Sequence, residues 1–272
     1  MSIRAKLSNI KNIPQYNRSI TFILLAVALC SYKPLGTHKQ QIKTVVIDAG
    51  HGGHDHGCMY GGASEKIVTL QVAKKVGQQI AMLLPDVKII YTRTDDNFVE
   101  LWERAGIANR NNADLFISIH CNANTKTEVF GTETFSMGLH KSEGNLAVAK
   151  RENDVILLEK DIDERYEGFD PNSPEAHIYF SFMQSAYIDQ SLRLASLVEA
   201  NFKGIKRSSR GVKQAGLMVL WKSKMPSILI ETGFLSNKVE RAYLTSEKGQ
   251  DSLALAIAQS VNQYKNQVEK GK

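Results

Sequence analysis

The chain has 272 residues, which is enough for one large domain or two small ones with a buried core. Its formal net charge of +6 is concentrated at one end, because residues 1–30 contain four basic and no acidic residues and the remainder carries only +2. No later stretch combines a dense Lys/Arg stripe with stacking aromatic residues. Composition therefore argues against a nucleic-acid-binding protein.

The N-terminal segment has the pattern of an export signal. A basic stretch precedes "ITFILLAVALC" at 20–30, an uncharged apolar run that is too short to span a bilayer as a helix. We predict a signal peptide over 1–30, a polar linker over 31–42, and export to the periplasm or cell envelope. An uncleaved membrane anchor is the alternative, and Cys30 at the end of the run leaves lipid attachment open.

From Lys43 onward, short apolar strands alternate with amphipathic helices, which predicts an α/β fold. We expect a mostly parallel central sheet of about six strands with helices on both faces, of the phosphorylase/hydrolase-like kind, in a domain over 43–268. The predicted strands lie at 44–48, 87–92, 115–120, 132–136, 217–221 and 228–232.

One region departs from this alternation. Residues 142–201 contain helical patterns and no strand-like run, and they are broken by a loop with Pro171 and Pro174. This stretch is longer than a sheet crossover requires. We predict a helical insertion here, placed near the functional site.

Four residues with metal-binding or acid–base side chains lie at the ends of predicted elements. His51, His120 and Glu231 follow or end three strands, and Glu65 opens the first long helix. The carboxyl ends of parallel strands meet at one edge of a sheet, where the crevice of such folds lies. We therefore expect these four side chains to converge.

The residue types in this set are those of a catalytic zinc site. Two histidines and one carboxylate, here His51, His120 and Glu65, leave a fourth position open for water. Glu231 is the candidate general base that would take the proton of that water. A salt-bridged residue at a strand end is the alternative role for Glu231.

Other potential ligands lie close to His51 in the sequence. A local loop site could be built from His51, His54 and Asp55, but it would leave His120 and Glu231 without a role. The two cysteines after the signal, Cys58 and Cys121, are too few for a disulfide framework and are expected to be free thiols. The sequence also lacks a phosphate-binding loop and a serine-nucleophile elbow.

Several spaced motifs resemble those of the zinc-dependent N-acetylmuramoyl-L-alanine amidases, over about 43–263. The resemblance implies zinc ligands at His51, Glu65 and His120 and a catalytic glutamate at Glu231. It also implies the substrate, the amide between N-acetylmuramic acid and the L-alanine of the peptidoglycan stem. The motifs are "VVIDAGHGGHDHG", "EK" at 65–66, "TRTDD", "RAGIANRNNADLFISIHCNA", "GTETF", "RGVKQAGLMVL" and "PSILIETGFLSN".

The inserted stretch is similar to that of the family branch that acts in daughter-cell separation, in which a helix covers the zinc until an activator protein displaces it. We expect part of 150–185 to be such a plug, with 156–167 the favoured piece and Glu159 or Glu164 entering the open zinc position. The alternative is a solvated helix face or a wall of the substrate cleft. Two other functions stay open: a zinc peptidase acting within the stem peptide, and a catalytically silent wall-binding protein.

Overall fold

The computed structural model describes residues 41–139, 142–159 and 185–270. The predicted signal peptide, nearly all of the linker and the Glu164 part of the expected plug lie outside these residues. Among the helices that the structure describes, none has the length and apolar character needed to cross a membrane.

The described elements follow one another in an alternating α/β order. They are β1 (Thr44–Ala49), β2 (Met59–Tyr60), β3 (Ala63–Ser64), α1 (Glu65–Leu83), β4 (Lys88–Tyr91), α2 (Leu101–Arg110), β5 (Leu115–Asn122), β6 (Thr132–Met137), α3 (Glu143–Asn153), a 3₁₀ helix (Asp154–Leu158), α4 (Ser185–Gly204), β7 (Ser209–Ala215), a 3₁₀ turn (Met218–Leu220), β8 (Ser227–Phe234), α5 (Lys238–Leu244) and α6 (Glu247–Lys270).

Six of these strands form one sheet in the order β4-β1-β5-β8-β6-β7. The first four run parallel to one another, whereas β6 is antiparallel to β8 and parallel to β7. The predicted α/β fold with a mostly parallel sheet is confirmed. Because β6 and β7 run the other way, their first residues lie beside the last residues of β5 and β8.

One predicted strand is wrong, and one strand was missed. The apolar run 217–221 is not a strand, because its centre is the 3₁₀ turn Met218–Leu220 and its side chains are buried there. The strand that precedes it, β7, is polar and lies at the sheet edge. Hydrophobic periodicity cannot separate a short buried turn from a buried strand, and it gives no signal for a polar edge strand.

Two apolar layers cover the sheet, and each contains the buried side chains of helices that pack on that face. On one face, Val72 of α1, Val198 of α4 and Ile257 of α6 belong to a single buried cluster with β1, β5 and β8. On the other face, α2, α3 and the 3₁₀ turn pack against Phe116 and Phe135. Helices on both sides of the sheet are thus confirmed, and α4 is part of the main core.

A buried ion pair fixes the end of β1. Asp48 accepts hydrogen bonds from the Thr92 hydroxyl (2.6 Å), the Ser118 hydroxyl (2.6 Å) and Arg104 Nη1 (3.0 Å). Burial opposes the charge of Asp48, but Arg104 and the two hydroxyls outweigh it and lower the pKa of the carboxyl. Arg104 Nη2 also donates to the His51 carbonyl at 2.9 Å. The pair therefore ties α2 to the loop that follows β1.

Replacing Arg104 by Met should leave the Asp48 charge buried without its cation. We expect the free energy of unfolding to fall by about 3–5 kcal/mol, since breaking a buried pair strands one charge. Urea unfolding monitored by circular dichroism measures the loss. Arg110→Met is the control, because Arg110 forms an exposed pair with Glu103 and should change stability little. Equal effects of the two substitutions would contradict this role of Arg104.

Candidate metal centre

The loop after β1 turns sharply to bring His51 over the sheet edge. His51 has a φ of +61°, a left-handed conformation that a residue other than glycine rarely adopts. Gly50 before it lies against the His120 ring, and a Cβ atom there would come within 2.4 Å of that ring. The His51 backbone is held in place by its bond from Arg104. A glycine at position 50 thus allows the two imidazoles to approach each other.

Four buried side chains meet at this point. Their ligand atoms all lie within 4.8 Å of one another, and the set could hold a metal ion. His51 Nε2 lies 3.1 Å from Glu65 Oε1 and 3.5 Å from Glu152 Oε2. His120 Nδ1 lies 3.3 Å from Glu65 Oε1 and 2.9 Å from Glu152 Oε2.

The polar atoms at the centre of this cluster fit a cation. Within the described residues, His51 Nε2, His120 Nδ1 and Glu152 Oε2 have no hydrogen-bond partner of acceptable geometry although they are buried. Buried polar atoms are normally satisfied, so three that face one another point to a shared ligand. Two imidazole nitrogens and carboxylate oxygens are the donors of a catalytic zinc site.

Hydrogen bonds hold the Glu65 carboxylate and the His51 ring in position. Glu65 Oε1 accepts from the Cys121 backbone N–H, and Glu65 Oε2 accepts from the Cys58 N–H, both at 2.9 Å. Asp55 Oδ2 lies 2.8 Å from His51 Nδ1. A hydrogen bond from Nδ1 to this carboxylate selects the tautomer in which Nε2 is free to bind a metal.

The charges in the cluster favour a positive ion at its centre. Without a metal, burial opposes protonation of His51, but the carboxylates of Glu65, Asp55 and Glu152 outweigh it and raise the pKa of His51 well above its usual value. Burial opposes protonation of His120 as well, and Glu152 outweighs it to raise the pKa of His120 to about 9. A metal cation would supply the positive charge that these carboxylates attract.

Glu231 lies next to this cluster, because it pairs in register with His120 across β5 and β8. Its Oε1 accepts a hydrogen bond from Arg151 Nη2 at 3.1 Å, and its Oε2 has no partner within the described residues. Burial, with the negative charges of Glu152 and Glu65, raises the pKa of Glu231 well above its ordinary value, against the opposing effect of Arg151. Its position and its raised pKa suit a proton acceptor.

Arg151 and Glu152, in the last turn of α3, enter the site together. Arg151 Nη2 binds Glu152 Oε1 at 2.7 Å as well as Glu231, and its Nη1 donates to Asn122 Oδ1 at 3.1 Å and to the Ala123 carbonyl at 3.3 Å. Glu152 then faces the imidazoles. Both the candidate metal position and the candidate base are therefore in contact with α3.

The structure brings together the three predicted ligands, His51, Glu65 and His120, and adds Glu152, which sequence reasoning missed. Glu159 was expected to point into the site and does not, because its carboxylate accepts the Leu101 backbone N–H at 2.6 Å, at the start of α2. The fourth residue of the cluster, Glu152, comes from one helical turn earlier than 156–167. An Arg-Glu pair on a helix gives no signal by itself, since most such pairs face solvent.

The local loop site is not what forms. His54 is exposed and its ring packs on Phe98, with the ring centroids 4.1 Å apart, so it faces away from His51. Asp55 acts on the outer nitrogen of His51 rather than as a third ligand beside it. Cys58 and Cys121 are free, as predicted, and burial raises the pKa of both thiols.

A cavity of about 360 Å³ opens onto the cluster between the loop after β1 and the segment after α3. Exposed leucines at its outer rim belong to the 3₁₀ helix 154–158. Its walls are His51, Asp55, Gly57, Cys58, Glu65, Arg151, Asp154, Val155, Leu157 and Leu158.

Two histidines, a carboxylate and an adjacent buried glutamate at the edge of an α/β sheet are the residue set that a metal-dependent hydrolase requires. A family model described as N-acetylmuramoyl-L-alanine amidase matches residues 45–263, and the chain belongs to this family. It is 32% identical over 238 residues to the N-acetylmuramoyl-L-alanine amidase AmiA of Escherichia coli K12, covering 85% of this chain and 79% of that protein.

Solved structures agree with this assignment. The N-acetylmuramoyl-L-alanine amidase of Clostridium difficile 630 is 30% identical with a TM-score of 0.61, covering 83% of this chain and 97% of that one. The CwlD amidase of Clostridioides difficile, solved in complex with the GerS lipoprotein, is 26% identical with a TM-score of 0.60 and covers 82% and 98% of the two chains.

Asp55→Ala should weaken metal binding by about 10-fold to 100-fold, because the outer carboxylate no longer fixes the His51 ring. Competition with a chromophoric chelator measures the affinity for Zn²⁺ directly. Asp55→Asn should recover part of the loss, since the amide oxygen can still accept from Nδ1. His56→Gln, an exposed change in the same loop, is the control. Wild-type Zn²⁺ affinity in Asp55→Ala would show that Asp55 does not act through His51.

Proposed function

We propose that this chain hydrolyses the amide bond between the lactyl group of N-acetylmuramic acid and the L-alanine of the peptidoglycan stem, with zinc as its metal. The observation that carries the proposal is the convergence of His51, Glu65 and His120 beside Glu231 at one sheet edge. Membership in the amidase family supports the substrate. The basic and apolar N-terminal sequence supports export to the periplasm or cell envelope, where peptidoglycan lies.

His51, Glu65 and His120 are the proposed zinc ligands. Zinc held by two imidazoles and a carboxylate lowers the pKa of water toward neutrality and polarises a carbonyl group. Asp55 orients His51 from behind, and the backbone N–H groups of Cys58 and Cys121 orient Glu65. The protein thus fixes the ligand directions before the metal arrives.

Glu231 is the proposed general base and then general acid. Its unpartnered Oε2 would take the proton of the attacking water and return it to the departing amine of L-alanine. Its raised pKa suits both steps, because the carboxyl group must gain and lose a proton near neutral pH. Arg151 binds the other oxygen, Oε1, and its positive charge opposes the gain of a proton by Glu231.

Digestion of purified peptidoglycan by the zinc-loaded chain tests the reaction. Glu231→Gln should lower the rate of hydrolysis by about 10²-fold to 10⁴-fold, because the general base is lost. Zn²⁺ binding should persist. A chelator should abolish activity, and added Zn²⁺ should restore it. Hydrolysis that survives both the chelator and Glu231→Gln would overturn the mechanism.

The products separate the amidase from the two rival functions. An amidase leaves intact glycan and releases stem peptides that begin with a free L-alanine amine. A zinc peptidase would cut between amino acids and leave L-alanine attached to the glycan. A silent wall-binding protein would sediment with the wall and release nothing, although it would still bind Zn²⁺.

We further infer that α3 holds the site closed. Glu152 Oε2 lies among the proposed zinc ligands, 2.9 Å from His120 Nδ1, where it would exclude water and substrate, and Arg151 binds Glu231, Asn122 and Ala123 at the same time. A protein partner that moves α3 is the corresponding activator, and the complex of the CwlD amidase with the GerS lipoprotein supports a partner of this kind. We therefore assign the plug to Glu152, whereas the sequence suggests Glu159.

Glu152→Ala should raise basal activity by at least about tenfold, because one contact that biases the closed state is removed. Arg151→Gln combined with Glu152→Ala should raise it further by freeing Glu231. Hydrolysis of a soluble muramyl peptide measures the rate, and Glu143→Ala, at the exposed start of α3, is the control. If both variants bind Zn²⁺ and keep the wild-type rate, α3 does not inhibit the enzyme.

A further inference from the structure

The edge strand β7 contains a bulge that turns two basic residues toward the same side. Thr132 and Thr134 of β6 pair with Ser209 and Val212 of β7, so β7 has one extra residue over this interval. Gly211 within it has a φ of +88°, and a Cβ atom there would meet nothing within 4 Å. Glycine is therefore needed at this position for its backbone conformation and not for lack of space.

The bulge changes the directions in which Arg210 and Lys213 point. Residues three apart on a regular strand point to opposite faces of a sheet. With the extra residue between them, Arg210 Nε and Lys213 Nζ both reach Glu133 Oε1, at 2.6 and 2.8 Å. The bulge thus places two cationic groups on one face of an edge strand.

This pair lies beside the candidate base. Glu133 is paired in register with Glu231 across β6 and β8, so the two carboxylate side chains start from neighbouring positions about 5 Å apart on one face. Glu133 Oε2 accepts from Asn122 Nδ2 at 3.1 Å, and Asn122 is held by Arg151, which also binds Glu231. A continuous set of contacts therefore leads from Glu231 to the basic pair.

The charges of this group do not cancel. Two cations share one oxygen of a single buried carboxylate, which leaves one positive charge in excess. The Arg210 side chain is 40% exposed and that of Lys213 is 24% exposed, whereas Glu133 is 4% exposed. Within the described residues Arg210 hydrogen-bonds to protein through Nε and its guanidinium lies 5.5 Å from the centroid of the Phe234 ring, so its two Nη groups can still donate to a ligand. A planar guanidinium of this kind matches the geometry of a carboxylate.

We propose that Arg210 and Lys213 form a carboxylate subsite that binds a free carboxylate of the peptide part of the substrate, next to the bond that is cut. The proposal rests on the proposed amidase function. Binding there would position the peptide on the Glu231 side of the cleft, and Glu133 would hold the two cations in place. The subsite thus selects for acidic peptides over amidated ones.

Two soluble muramyl peptides that differ only in a free or an amidated carboxylate test the subsite. For the free acid, Arg210→Gln and Lys213→Gln should each lower kcat/KM by about tenfold to hundredfold through KM, with kcat little changed, since a charge-assisted bond is lost. For the amidated substrate, kcat/KM of the same variants should change by less than about threefold. Each variant is also assayed in the Glu152→Ala background, in which the cleft is expected to be open.

Controls separate this role from a structural one. Lys203→Gln makes the same charge change on the exposed side of α4 and should affect neither substrate. Equal losses on both substrates in the Arg210 and Lys213 variants would overturn the subsite. If a variant fails to fold, the wild-type chain still tests the subsite. Equal kcat/KM values of the wild type for the two substrates would also overturn it. If the zinc-loaded wild-type and Glu152→Ala chains cleave neither substrate, the result instead refutes the amidase function.

Discussion

Asp48 is fully buried at the end of β1, and its charge is balanced by Arg104 from α2. The same guanidinium donates to the carbonyl groups of Ala49 and His51, so one side chain both neutralises the sheet interior and sets the course of the loop above it. That loop carries His51 in a left-handed conformation, which costs energy that only such contacts offset. The metal centre therefore depends on an ion pair that lies beneath it.

Above this pair, negative charge dominates. Glu65, Glu152 and Glu231 are all buried around two imidazoles, and Arg151 is the cation that the described structure brings among them. Carboxylates so placed repel one another unless a cation lies between them. A metal ion among them would reduce this repulsion, and the proposed displacement of α3 would remove one anion and one cation together. The two states of the site thus differ little in net charge.

The sequence predicts the parts of the site that follow from strand ends. His51, His120 and Glu231 come directly after or within apolar strands, and parallel pairing brings such ends together whatever the loops do. Glu152 could not be found in this way, because its position depends on how α3 lies across the sheet edge. The polar strand β7 gave no periodic signal, and the apolar turn at Met218–Leu220 imitated a strand. The local sequence pattern predicts helices and strands, whereas the way in which one of them packs against another depends on tertiary contacts.

The reversal of β6 and β7 brings a second group of charged residues to the sheet edge that carries the candidate metal ligands. The candidate metal ligands His51, Glu65 and His120 come from the loop after β1, the start of α1 and β5, in the middle of the sheet. Arg210 and Lys213 lie on an edge strand with one free side, and a bulge already relaxes its pairing. Both cations balance the buried Glu133 carboxylate, so replacing either one leaves more of that charge uncompensated. A change of either cation therefore acts on Glu133 and, through Asn122 and Arg151, on the surroundings of Glu231.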